Sequence, residues 1–305
     1  MAIRSLLIEK LLSKNYYLSK ILSHLWWYTK SLDKQPIVIY QMGKVGSTSI
    51  LFSLQALNLE MPIYQVHVLS EQGIDKFEKM YWGDAPRFFR ESLLPETKHI
   101  FTSHFLRAQL NKSAASKRWK VVTLVRDPIA RNVSEFFYSV DTTKFDPYLP
   151  DFYERYLTRS ISTREIVERF IERFHENSED CNIPLRWFDV ELKPVLGIDV
   201  YSRDFPKAKG CQFYEGHFAD VLLLKLERVD EIVNDAFKEF LSIKKFKLLT
   251  TNTANQKRYY SAYQDFLREV NLPIAYIDTI YNSKVVQHFY SAEEINAFRR
   301  KWHKH

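Results

Sequence analysis

Apolar and polar positions alternate along the chain in blocks that predict a layered α/β architecture. Residues 35–40 open with a short β-branched run, Ile37-Val38-Ile39, the mark of a buried strand. A turn follows, and from Ile50 to Leu57 the spacing is helical. Further strands are expected over residues 61–68, 98–104, 118–125 and 221–226, with 118–125 the clearest. Helical patterns begin near Pro128 and run through Tyr138, then recur over 162–175, 230–241 and 258–270 and in a tail from Ala292. Residues 70–94 read as helix and loop, 141–160 as irregular loop, and 184–210 as non-helical in places. Buried runs alternating with helices predict three layers, a parallel central sheet of about five strands with helices on both faces.

Residues 1–34 stand apart from this domain, which occupies 35–305. Leu6, Leu7, Leu11, Leu12, Leu18, Leu22, Leu25, Trp26 and Trp27 are interleaved with Lys10, Lys14, Lys20 and Lys30, an amphipathic helical pattern. No apolar run reaches the ~18 residues of a spanning helix, and no small-residue cleavage site follows, against a signal peptide. The segment reads either as helices packed on the core or as an interfacial helix at a membrane surface. Two cysteines, Cys181 and Cys211, do not make a disulfide scaffold and fit a reducing, cytoplasmic setting. The net charge of +7 suits an anionic ligand, an acidic glycan or a membrane. With no zinc-ligand array, no aromatic RNA-binding motif and no long basic tract, nucleic acid is not an expected partner, and no ligand cluster suggests a metal.

The turn after the first strand carries the chemistry. Only seven glycines occur in 305 residues, and two of them, Gly43 and Gly46, flank Lys44 and Val45. Ser47 and Thr48 then open a helix. A strand, a glycine turn and a hydroxyl-rich helix start form an anion site, because N–H groups at a helix N-terminus point outward with partial positive charge. The spacing differs from the nucleotide P-loop, which places four residues between its glycines and Lys-Ser/Thr after the second. A second constellation follows the 118–125 strand: Arg126-Asp127-Pro128, with Ser134 eight residues after Arg126. A guanidinium at a strand's C-terminal end and a hydroxyl two turns into the next helix can grip one phosphate.

Gly43-Lys44-Val45-Gly46-Ser47-Thr48 resembles the 5′-phosphosulfate loop of sulfotransferases that use 3′-phosphoadenosine 5′-phosphosulfate (PAPS). Arg126 and Ser134 resemble that family's 3′-phosphate motif. The resemblance implies a P-loop NTPase-like sulfotransferase fold and PAPS as the donor, with 3′-phosphoadenosine 5′-phosphate as product. It also implies a general-base histidine, expected at His104 at the end of the 98–104 strand, 22 residues before Arg126; His67 is the competitor. Many relatives carry Lys two positions before that histidine, where this chain has Thr102. Lys44 would stabilise charge on the leaving oxygen. Lys257 and Arg258 are candidates for the basic segment over the 3′-phosphate, although the family's Gly-rich form is absent. Residues 187–201, with Trp187-Phe188-Asp189 and Gly197-Ile198-Asp199-Val200-Tyr201, resemble bacterial proteins described as "putative capsular polysaccharide synthesis". The implied reaction is sulfation of a hydroxyl on a saccharide or glycolipid. Two alternatives remain open, a nucleotide phosphotransferase and a non-catalytic protein on the same fold.

Overall fold

The computed structural model describes residues 32, 34–82, 95–112, 118–142, 151–175, 178–249 and 257–304. The amphipathic segment expected over 1–34 thus lies almost wholly outside the described residues. Five strands form one sheet: β1 (Ile37–Tyr40), β2 (Ile63–Val66), β3 (Trp119–Val125), β4 (Cys211–Glu215) and β5 (Ala219–Lys225). Their order is β2-β1-β3-β5-β4. The first four are parallel and β4 is antiparallel to β5. All four β1 residues are buried, as are six of the seven in β3 and in β5. Such unbroken apolar runs are what a sheet covered on both faces requires.

The helices in the first half are α1 (Ser47–Gln55), α2 (Glu71–Trp82), α3 (Pro95–Lys112) and α4 (Pro128–Thr142). They are followed by α5 (Phe152–Leu157), α6 (Thr163–Arg173) and α7 (Glu179–Trp187). A π-helical turn (Phe188–Leu192) leads from α7 into α8 (Lys193–Leu196). The rest are α9 (Val229–Leu241), α10 (Tyr260–Glu269), α11 (Ile274–Tyr281), α12 (Lys284–Phe289) and α13 (Ala292–Trp302). None of the described helices is long and apolar enough to cross a membrane.

The five-stranded count holds, but one member differs. Residues 98–104 are helical, part of α3, not the third strand expected. The buried positions Ile100, Ser103, Leu106 and Leu110 recur every three to four residues, a period that only a helix can bury on one face. The fifth strand is instead β4, a short edge strand closed onto β5 by a hairpin in which Gly216 N–H donates to the Ala219 carbonyl at 2.9 Å. Its outer edge is capped by Arg203, whose guanidinium donates to the Phe213 carbonyl. Two loop expectations also change: Phe152–Leu157 is helical, and helix runs through Pro184 into the π turn.

The last third clasps the sheet. Phe137 of α4 packs its ring against Tyr259, Tyr263 and Phe266, which holds α10 beside α4. At the end of β5, Lys225 is completely buried. Its ammonium lies 2.9 Å from both carboxylate oxygens of Glu294 and 3.0 Å from the Lys207 carbonyl. Glu294 also closes a capping box with Ser291 at the start of α13. A buried charge that loses its partner is left without solvent or counterion. Glu294→Ala is therefore expected to cost about 3–5 kcal/mol, read as a drop in the denaturant midpoint with an unchanged slope.

Candidate active site

Strand order decides what meets what. β1 is flanked by β2 and β3, with Ile37, Val38 and Ile39 in register with Lys120, Val121 and Val122. The turn after β1 and the turn after β3 therefore emerge side by side at the C-terminal edge of the sheet, where parallel sheets bind ligands. Arg126 Nη1 donates to the Lys44 carbonyl at 2.7 Å, and Arg131 Nε donates to the Gly43 carbonyl at 3.2 Å. The two motifs read separately from the sequence are joined by direct hydrogen bonds. Arg131 was not among the expected site residues; its position five after Arg126, on the buried face of α4, was the available signal.

Those two bonds orient the loop. A planar trans peptide points its C=O and the following N–H in opposite directions. Holding the carbonyls of Gly43 and Lys44 toward the arginines turns the N–H groups of Lys44 and Val45 the other way. Lys44 (φ 69°) and Gly46 (φ 84°) both take left-handed conformations, of the kind that gathers N–H groups into an anion-binding concavity. Glycine suits position 46, where the positive φ would strain any L side chain and a Cβ would press on Leu226 Cδ1 at 2.6 Å. It is the residue at the N-terminus of α1, which has no side-chain cap and no acidic residue in its first turn. Uncapped N–H groups, a positive dipole end and nearby cations fit a phosphate or sulfate group.

The remaining expected residues are placed as follows. Lys44 rests its ammonium over the Tyr138 ring, 2.8 Å from the centroid. Val45 is buried, and Ser47 is held by a 2.7 Å bond from Gln65 Nε2 of β2. Thr48 is half-buried at the start of α1. Ser134 is half-buried on α4, three residues after Arg131 and four before Tyr138, hence on the face those two turn to the loop. Lys257 and Arg258 immediately precede Tyr259, whose ring lies 5.7 Å from that of Phe137 on α4; Arg258 is exposed.

The histidines separate. His67 directly follows β2 at its C-terminal end, and its Nδ1–H donates to the Gln41 carbonyl at 2.9 Å. A carbonyl can only accept, so the tautomer is fixed and the lone pair sits on Nε2. Burial pushes the His67 pKa down to about 3, with the charges of His99, Lys44 and Arg131 acting in the same direction and the Gln41 bond opposing them. The His99 ring lies 4.9 Å from it. His104 is in mid-helix, its Nε2 2.7 Å from Glu78 Oε1. It stands five residues past His99, roughly 7.5 Å further along the helix axis, near the level of Phe105, whose ring meets Tyr64 of β2.

Below the rim, Asp127 ties the Arg126 turn to the C-terminal helices. One of its carboxylate oxygens accepts from Ile129 N–H and the Tyr281 hydroxyl, the other from Trp302 Nε1. Its own N–H donates to Glu227, which also accepts from the Tyr290 hydroxyl. Burial raises the pKa of both carboxyls.

With this geometry in place, comparison with known proteins is informative. A family model described as "Sulfotransferase domain" matches residues 55–182, a span that includes Arg126, Ser134 and both candidate histidines and begins just after the loop. A second, described as "Putative capsular polysaccharide synthesis protein", matches residues 161–291. No curated protein and no solved structure matches the chain. The mostly parallel five-stranded sheet with helices around it is an α/β fold consistent with a sulfotransferase domain. The sulfotransferase match falls on the family that the motifs implied, and the capsular polysaccharide synthesis match falls on the second half of the chain.

The low pKa of His67 sets a pH dependence. The unfolded chain takes up this proton near 6.5 and the folded one only near 3. The unfolded state thus binds more protons between those values, and stability falls as pH falls through that window. Between pH 7.5 and pH 5 the wild type is expected to lose about 2 kcal/mol more than His67→Gln, measured as denaturant midpoints of both proteins at the two pH values.

Proposed function

We propose that this protein moves the sulfuryl group of PAPS to a hydroxyl, on a saccharide or glycolipid acceptor. The observation that carries this reading is the 2.7 Å bond between Arg126 and the Lys44 carbonyl, which brings together the two turns whose motifs resemble phosphate sites. In it, Gly43, Lys44, Val45, Gly46, Ser47 and Thr48 would hold the 5′-phosphosulfate. Arg126 and Ser134 would hold the 3′-phosphate, with Lys257 and Arg258 closing over it. The donor supplies a sulfuryl group already activated on a phosphate leaving group. Lys44 would leave the Tyr138 ring to meet charge developing on the bridging oxygen, and the loop N–H groups would share that task. The saccharide acceptor is supported by the capsular polysaccharide synthesis match. Two buried cysteines, Cys181 and Cys211, fit a cytoplasmic enzyme, with 35–305 as the transferase domain and 1–34 as the segment that would meet a membrane surface.

For the base, the geometry favours His67 over His104. His67 lies at the end of the strand beside β1, within the electrostatic reach of Lys44, and its free lone pair is on Nε2. As the acceptor oxygen attacks sulfur, its proton would pass to that nitrogen. A pKa near 3 makes a weak base in the resting protein. A dianion seated beside Lys44 and Arg131 would offset the cations that depress it, raising its proton affinity when the donor is bound. His104, with its Glu78 partner, is the base expected from the family pattern and the comparison in the test.

His67→Gln is expected to lose transfer by about 100-fold or more while keeping nucleotide affinity, and His104→Gln to stay within about threefold. The reverse result would move the base to His104 and leave the rest of the site standing. Lys44→Ala and Arg126→Ala are each expected to weaken 3′-phosphoadenosine 5′-phosphate by about 10- to 100-fold, the loss of one charged hydrogen bond. A thermal-shift series separates the alternatives: that nucleotide should raise the melting point and ATP with Mg²⁺ should not. A shift with ATP and Mg²⁺ alone would replace the sulfuryl reading with phosphotransfer, and no shift with either would leave a non-catalytic protein.

A further inference from the structure

Glu191 is a carboxylate where none is expected, in the π-helical turn after α7, with 3% of its surface exposed. Its Oε2 accepts from the Tyr40 hydroxyl at 2.6 Å, from Leu69 N–H at 2.8 Å and from Ser70 N–H at 3.0 Å. Its Oε1 accepts from the Ser70 hydroxyl at 2.6 Å. That hydroxyl in turn accepts from Gly73 N–H at 2.9 Å and so caps α2. A Cβ on Gly73 would collide with the carboxylate, so glycine there is the partner of the glutamate. Four residues earlier in the same turn of chain, Trp187 Nε1 donates to the His67 carbonyl at 3.0 Å, and its ring meets that of Tyr40 edge-on at 4.9 Å.

One short segment therefore grips both sides of the crevice. Tyr40 is the last residue of β1, just before the anion loop, and residues 67–70 carry His67 out of β2. Fully satisfied buried carboxylates rigidify what they bond, and π-helical turns inserted in α-helices are frequent at functional sites. The two ends of this contact also come from different matched regions: Glu191 lies only in the polysaccharide-synthesis match, and residues 67–70 only in the sulfotransferase match.

We propose that Glu191 is the positioning residue of this active site, whose buried carboxylate holds the end of β1 and the His67–Ser70 turn in the one relation that aims His67 at the anion loop. The idea rests on the sulfuryl-transfer reading for its kinetic consequence, but not for its structural one. Glu191→Gln keeps the size of the side chain and turns an NH₂ group toward donors, so it should loosen the contact without emptying the site. The expected result is a fall in kcat of about 10- to 100-fold, the usual range for residues that orient a catalytic group. KM for PAPS and the affinity for 3′-phosphoadenosine 5′-phosphate should stay within about threefold. In ¹⁵N-histidine NMR, the His67 imidazole should titrate well above its wild-type value near 3, because water reaches the released ring. Should Glu191→Gln fail to fold, Tyr40→Phe, which removes one of the four bonds, is measured for the same two quantities. A kcat within threefold of wild type, or a His67 titration that does not move, overturns the proposal. If the wild type itself transfers nothing from PAPS, the sulfuryl reading fails, and the His67 titration alone still decides the role of Glu191.

Discussion

The pairing of β1 with β3 is the constraint on which the site depends. Parallel neighbours in register lie about 4.8 Å apart, so their following turns have no freedom to diverge at the first residue. Here both turns use that closeness. Two guanidinium groups from the β3 side hold two carbonyls of the β1 side. Neither arginine thereby spends all its donors, and the loop's N–H groups are left facing outward. The shape of the proposed anion crevice is a by-product of satisfying backbone oxygens at a sheet edge.

The same rim is supported from below by groups distant in sequence. Asp127 is buried, and both its carboxyl and that of Glu227 have raised pKa values, yet every polar contact described for them is a hydrogen bond from a backbone N–H, a tyrosine or a tryptophan. Trp302 reaches Asp127 across 175 residues of chain. The Arg126 turn is held by the last helix as well as by the strand that delivers it. Leu226, at the exit of β5, lies where a Cβ on Gly46 would have to go. Distant segments thus bear on both turns at this rim.

Much of this was legible in residue order. β1, β3 and β5 are apolar on both faces, and that pattern admits little else. Gly43 to Thr48 and Arg126 to Ser134 announced themselves by local spacing. Residues 98–104 misled because Ile100, Phe101 and Phe105 mimic a short apolar strand, whereas burial there follows Ile100, Ser103, Leu106 and Leu110. β4 escaped notice because an antiparallel edge strand is half-exposed and carries a weak alternation, Cys211 and Tyr214 in and Glu215 out. Glu191 was invisible for a different reason. Its partners lie more than 120 residues away, and a buried carboxylate looks like a surface one until its donors are known.

The hairpin at the sheet's far edge carries one more meaning. An open strand edge is a template on which a second chain can add itself. Arg203 occupies the Phe213 carbonyl on that outer side, lays its guanidinium 4.8 Å from the Tyr214 ring, and sets a positive charge where an incoming backbone would need to dock. Cross-chain ribbon formation is blocked there by a single side chain, and the hairpin stays a terminus of the sheet.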